Sequence, residues 1–345
     1  MNTTGFVRYS SALVALAVCS ACSGAGSGSA VAPSNAAPSV QYKGGTAFVN
    51  GRPVTAARPN LNAPAHYPEI ILDPTAKAKT KNFDYIINNY GSYASVFNYP
   101  KSIKQIATVT NVGGQGCTNV LNGYGKKIVW IIAAYDQISE YNAPDKLVRS
   151  LSVDPNSFPS SCAMNTDGDL AVGILAGTNS GSMVIFKEAT GTGTVIKTPL
   201  SEEFFDGYDN KGNLFFDGYG SPPSYNFAIA ELPKGSKAAK LITLSNTIQF
   251  PGSVQWDGTY LTVFDQLANN LYRYTIKGSK GILHDTISFT GVSDCAQTWI
   301  AGDVVYCGDA GLDDGEVLNY PAGGSPIAVF TGNFDLPLGT VATAK

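Results

Sequence analysis

Only two histidines, His66 and His284, stand among 345 residues, and no Gly-x-Ser-x-Gly stretch is present. A serine nucleophile activated by imidazole therefore has no sequence support, because that chemistry needs a base beside the hydroxyl. The groups left for chemistry are carboxylates and tyrosines. Glu203, Asp136, Asp265, Asp294 and Asp309, with Gln115, fall at the ends of recurring apolar runs, and Tyr90, Tyr135 and Tyr219 fall at the ends of others. Converging carboxylates hold divalent cations such as calcium through hard oxygen ligands; scattered ones cap turns or face water. Tyrosines offer a rigid apolar face with a polar tip to a sugar ring or peptide side chain, or they pack between sheets. Asp313-Asp314 lies in Gly311-Leu-Asp-Asp-Gly315, which lacks the alternating oxygens and closing Glu of an EF-hand loop and reads as a turn.

The elements that must position these residues repeat. Phe205 to Gly220 reads as apolar run, Asn-x-Gly-type turn, apolar run and glycine-rich exit, which is one β-hairpin. Its turn glycine recurs at Gly125, Gly168, Gly212, Gly258 and Gly302, about 44 residues apart. Two further apolar runs follow each hairpin, as in Leu271–Ile276 and Leu283–Phe289, giving four strands per period. That period and content predict an all-β chain: a six-bladed β-propeller of four-stranded blades. The first blade lacks an inner strand, and Leu338–Ala344 looks like an inner strand without a partner. The C-terminal strand is thus expected to close the ring and remove the free sheet edges. In this strand order the loops after the outer strands and those after the second strands share one face around the axial mouth. That face is where the acids, Gln115 and the three tyrosines are expected.

These repeats resemble those of the NHL family of propellers. The matching pieces are Phe250-Pro-Gly-Ser-Val-Gln-Trp-Asp-Gly258, Lys211-Gly-Asn-Leu-Phe-Phe-Asp217, Asp167-Gly-Asp-Leu-Ala-Val172 and Leu336-Pro-Leu-Gly-Thr-Val-Ala342. The resemblance implies a fold rather than an activity, since such propellers include binding modules, lactonases and lyases. The arginine that often follows the second strand of an NHL repeat is missing. Propellers similar to regucalcin and gluconolactonase carry a carboxylate at the start of the first blade's inner strand, where this chain has Pro337-Leu338.

Residues 1–22 carry Arg8, the apolar run Ala12–Val18 and Cys19-Ser-Ala-Cys22, which together read as an export signal too short to span a membrane. The end resembles a bacterial lipobox, with Cys22 as the lipidated residue, although Cys19 stands where leucine is usual; ordinary cleavage to a secreted chain is the other reading. Residues 23–68 are rich in Ala, Gly, Ser and Pro and read as a flexible tether, leaving 69–345 as the propeller. Glu69–Asp73 has no assigned place. Four cysteines remain in an exported chain, and the expected disulfides are Cys117–Cys162, on neighbouring inner strands, and Cys295–Cys307, across one hairpin. Zinc is the rival reading, without a CxxC or paired histidines to support it.

A net charge of −3 gives no basic field for nucleic acid. The expected function is non-catalytic: a monomeric cell-envelope or secreted propeller that needs no cofactor, binding a protein, peptide or glycan through its axial face. Any membrane attachment is through the lipid alone. The alternative is a metal-dependent lactonase-like hydrolase using Glu203, Asp294 and Asp309, with calcium.

Overall fold

The computed structural model describes residues 40–43, 46–49, 52–54, 82–88, 92–118, 128–133, 136–221 and 225–343. Cys22, His66, Glu69–Asp73, Tyr90, Gly125 and Tyr135 lie outside them. Contacts divide the chain into residues 1–68 and 69–345. In the first unit, β1 (Val40–Lys43), β2 (Thr46–Val49) and β3 (Arg52–Val54) form an antiparallel meander, inside the stretch read from composition as a tether.

In the second unit, β4 (Asp84–Asn88), β5 (Tyr93–Asn98) and β6 (Ser102–Thr110) open the first sheet. A second four-stranded sheet holds β7 (Val112–Thr118), β8 (Ile128–Ala133), β9 (Gln137–Asn142) and β10 (Lys146–Ser152). A third holds β11 (Ser157–Met164), β12 (Leu170–Gly177), β13 (Ser182–Phe186) and β14 (Thr194–Lys197). Next comes the meander β15 (Leu200–Tyr208), β16 (Leu214–Gly220), β17 (Phe227–Leu232) and β18 (Lys240–Leu244). It is followed by β19 (Val254–Trp256), β20 (Leu261–Asp265), β21 (Asn270–Lys277) and β22 (Lys280–Ser288). Then come β23 (Cys295–Ala301), β24 (Val304–Asp309), β25 (Asp314–Asn319) and β26 (Ala328–Val329). Last is β27 (Pro337–Ala342), which pairs with β4 and completes the first sheet.

Separate four-stranded sheets throughout were expected from the repeat. Instead, β15–β18 and β19–β22 make one eight-stranded sheet, because the outer strands β18 and β22 meet in parallel at Thr243–Lys280 and Leu244–Gly281. Neighbouring inner strands touch in the order β27, β7, β11, β15, β19. Hydrogen bonds carry the contact from β19 to β23, and β23 returns to β27, so the sheets form a closed ring.

Burial explains why the second strands read as unbroken apolar runs. β4 and β20 are buried along their whole length, because a sheet stands against each of their faces. The outer strand β10 is almost wholly exposed. The space between sheets is filled by large side chains; Phe97, for example, stacks on Phe330 with ring centres 4.3 Å apart. The indole of Trp299 packs against three separate intersheet cores. The hairpin turns follow from a side-chain acceptor and a glycine. Asp209 Oδ1 accepts from the N–H groups of Lys211 and Asn213, and Gly212 takes φ +85°, a conformation that favours glycine. Among the described residues, no helix is long and apolar enough to cross a membrane.

Candidate functional site

The inner edges of β27, β7, β11, β15, β19 and β23 face the middle of the ring, where their backbone groups have no further strand to pair with. Buried amides without partners are costly, and side chains from other sheets supply them. Gln297 donates to Gly116 O at 2.9 Å and accepts from the N–H groups of Gly116 at 3.2 Å and Thr340 at 2.9 Å. Gln115 donates to Phe204 O at 2.9 Å, and Ser160 Oγ donates to Glu203 O at 2.9 Å. Gln255 both donates to Ile300 O and accepts from Ile300 N–H. Gln115, expected to meet a ligand, is thus engaged in holding sheets together. Gln255 and Gln297 were missed, and their recurrence inside successive inner strands was the available signal. These residues border a void of about 10 Å³, lined by Gln115, Asp206, Ser253, Gln297, Thr298 and Trp299 among others, room for about one water.

Three second-strand ends share one device. Asn88 Oδ1 accepts from Asp335 N–H at 2.9 Å, Asp265 Oδ2 from Gln249 N–H at 2.7 Å and Asp309 Oδ2 from Ser293 N–H at 2.6 Å. Each ties the loop entering an inner strand to the end of the second strand in the same sheet, so the two sets of loops share a face. Asp309 Oδ1 also accepts from Asp294, Gly311 and Leu312, and Asp265 Oδ1 from Phe250, Leu267 and Ala268. Both carboxylates are occupied by turn amides. Asp136 is half-buried before β9, where its carbonyl accepts from Val153 N–H.

Asp294 sits beside Asp309; burial and that neighbour push its carboxyl up to about 6. Glu316 faces the same group from β25 and is raised to about 8 by burial, then by Asp309 and Asp314. Asp313 occupies the turn before β25 at φ +57° and accepts from Leu336 N–H. Cys295, Cys307, Asp309 and Glu316 each place a donor atom within 4.8 Å of the others, but the two sulfurs are joined to each other. Cys117 is likewise joined to Cys162, linking β7 to β11, with Cα atoms 5.6 Å apart in both pairs. Glu203 lies elsewhere, fully buried on β15, and its electrostatic neighbours are Asp206 and, through it, Asp217. The structure therefore groups Asp294 with Asp309, and Glu203 with two acids that the sequence did not single out.

Tyr219 ends β16 on the shared loop face. Its ring meets Phe204 edge-on at 5.1 Å and Phe250 at 6.3 Å, and Tyr219 and Phe250 are both partly exposed. Burial, then Glu202 and Asp217, hold the Tyr219 hydroxyl well above its ordinary range, so it stays a donor at neutral pH. His284 lies on the outer strand β22, stacked on Tyr260 at 4.1 Å.

No family model matches this chain, and no curated protein does. Solved structures do. A chain of a nidogen/laminin complex aligns with a TM-score of 0.59 at 10% identity, over 76% of this chain and 98% of that one. The chain folds as a β-propeller. A protein of unknown function from Bacteroides caccae aligns with a TM-score of 0.55 at 9% identity, over 76% of the propeller-containing chain and 99% of its own length. At such identities the likeness concerns the fold alone.

Proposed function

We propose that this protein is a non-catalytic binding propeller whose loop face holds a protein, peptide or glycan. The observation that carries this reading is the pair Tyr219 and Phe250, braced from beneath by the buried Phe204, beside Glu202. The pair presents a rigid apolar surface, a hydroxyl donor and a carboxylate where two sets of loops meet. Tyrosine and phenylalanine bury large areas with little loss of side-chain freedom, which suits recognition of a surface. The void at the ring's middle, about 10 Å³, is far smaller than the hundreds of cubic ångströms a drug-sized ligand occupies. One structural neighbour comes from a complex of nidogen with laminin, an instance of this fold engaged with a protein.

The eight-stranded sheet is read as two blades joined at their rims, which makes six blades of NHL type. Residues 1–22 are an export signal, residues 23–68 a tether that carries the β1–β3 meander, and the monomer is held at the cell envelope by lipid on Cys22. Two cysteine pairs at disulfide distance suit folding in an oxidising compartment. Mass spectrometry of the mature N-terminus tests the anchor: a diacylglyceryl Cys22 is expected, and an unmodified terminus beyond it overturns it.

Glycan and peptide arrays probed with the purified propeller test the binding face. Retention of a ligand, lost in Tyr219→Ala and Phe250→Ala but kept in Tyr272→Ala, is the expected result. Binding indifferent to both loop-face substitutions, or lactone hydrolysis abolished by Glu203→Gln, overturns the reading.

A further inference from the structure

Between β11, β12, β15 and β16 lies a group of side chains that the loop face does not use. The pairing of β15 with β16 shifts between Glu203 and Phe205, which brings Glu203 and Asp206 to a common neighbour, Gly173 of β12. A Cβ built on Gly173 would lie 2.3 Å from Ser161 Oγ, 3.5 Å from Glu203 Oε2 and 3.7 Å from Asp206 Oδ2. The three oxygens thus surround one point that only glycine leaves open. Asp217, opposite Phe205 on β16, shares their electrostatic field.

All four residues are buried: Glu203 and Asp217 are 0% exposed, Ser161 1% and Asp206 8%. Among the described residues, no hydrogen bond with good geometry reaches either oxygen of Glu203, either oxygen of Asp206 or Ser161 Oγ. The ion pairs of the described residues fall on other carboxylates. Burial drives Glu203 and Asp206 well above the usual carboxylate range. The nearby Thr198 and Ser161 hydroxyls offset part of this rise, and Asp206 adds to that of Glu203. Buried acceptors without donors cost several kcal/mol unless a proton or a cation joins them.

Two features favour a cation. Ser161 Oγ, itself buried and without a hydrogen bond of good geometry, is turned into the same space beside Asp206, and a hydroxyl oxygen is a neutral ligand for a hard ion. The void beside Asp206 has room for about one water, which can complete a coordination shell. The donors are all oxygen and irregularly placed on two strands, one of them bulged, an arrangement that Ca²⁺ tolerates and Mg²⁺, with its strict octahedron, does not.

We propose that Glu203, Asp206 and Ser161 bind one Ca²⁺ that fastens β11–β14 to β15–β18. This departs from the metal-free protein expected from sequence and is independent of the loop-face reading, since Tyr219 and Phe250 are not among its ligands.

The test uses the full mature chain, stripped with EDTA and returned to Ca²⁺, with metal content by mass spectrometry and melting by calorimetry. One Ca²⁺ per chain is expected. With calcium at about a hundred times Kd, the melting temperature should rise by roughly 5–10 °C. Asp206→Asn and Glu203→Gln, which remove buried charge and should still fold, are expected to abolish the shift; Glu188→Gln on the surface keeps it. Identical melts with and without Ca²⁺, no stoichiometric metal, or a shift with Mg²⁺ but not Ca²⁺ would each overturn the assignment. A higher melting temperature for metal-free Asp206→Asn, with no calcium response in the parent, would assign the site to protons instead.

Discussion

Replacing Gln297 with leucine keeps the volume of the side chain and removes every hydrogen bond it makes. Gly116 loses partners for both its N–H and its C=O, and Thr340 loses one for its N–H. Each is a buried backbone group that costs about 1–3 kcal/mol when left unpaired. Water can reach one of them through the adjoining void, and the leucine adds some apolar burial, so the net loss should be about 4 kcal/mol. For a domain of this size that lowers the melting temperature by roughly 8–16 °C. Urea unfolding followed by circular dichroism measures the loss directly, with Gln137→Leu on the exposed start of β9 as control, expected within about 0.5 kcal/mol of the parent. Gln297→Glu separates the donor from the acceptor. It keeps acceptors for the two N–H groups but sets an anionic oxygen against Gly116 O. Its folded state therefore favours the protonated form, and its stability should recover as pH falls. A Gln297→Leu variant within about 1 kcal/mol of the parent, or a Gln297→Glu variant with no added pH dependence, would refute the role given to this side chain.

Opening the cysteine bridges should destabilise unequally. The 45-residue separation of Cys117 and Cys162 predicts a loss of about 4 kcal/mol, and the 12-residue separation of Cys295 and Cys307 about 3 kcal/mol, in double-alanine variants compared by urea unfolding. Glu316, raised to about 8 in the folded protein, holds a proton that the unfolded chain gives up near its ordinary 4.5. Its contribution to stability therefore falls as pH climbs from about 4.5 to about 8, and Glu316→Gln should flatten that part of the stability profile in denaturant titrations. Asp265→Ala and Asp309→Ala each strand several turn amides and should cost about 2–3 kcal/mol; Asp309→Ala should leave ligand retention on Tyr219 intact, whereas Asp265→Ala, which frees the backbone of Phe250, should weaken it, read by melting and array binding together.

The period of the hairpins was legible because the turns at Gly168, Gly212 and Gly258 each combine an acceptor side chain with a glycine, and second strands buried on both faces leave apolar runs. The unpartnered strand near the C-terminus was legible for the same reason, and β27 does pair with β4. The joining of two meanders was not legible, since the contact of Thr243 and Leu244 with Lys280 and Gly281 depends on where two rims end in space. For the acids, sequence offered turn capping and ligand binding as alternatives, and Asp265 and Asp309 cap turns. Asp206 and Asp217 escaped notice because a bulge, which leaves no mark in composition, places Asp206 with Glu203. The glutamines of the inner strands recur, but glutamine is so ordinary on protein surfaces that recurrence alone did not mark it as structural.

The pairing of β27 with β4 also sets when the ring can exist. Phe83 and Thr343, which bond across this seam, are 260 residues apart. The entropy of closing so long a loop exceeds that of the 45-residue loop between Cys117 and Cys162 by only about 1.5 kcal/mol, because the cost grows with the logarithm of length. Thermodynamically the seam is inexpensive, but in time it comes last. β4 emerges from the ribosome before its partner has been made, and until β27 arrives one edge of that sheet remains open to strands of other chains. Substitutions in Pro337–Ala342 that barely alter the finished protein can thus reduce how much of it is ever finished, and they would be found in the yield rather than in the melt.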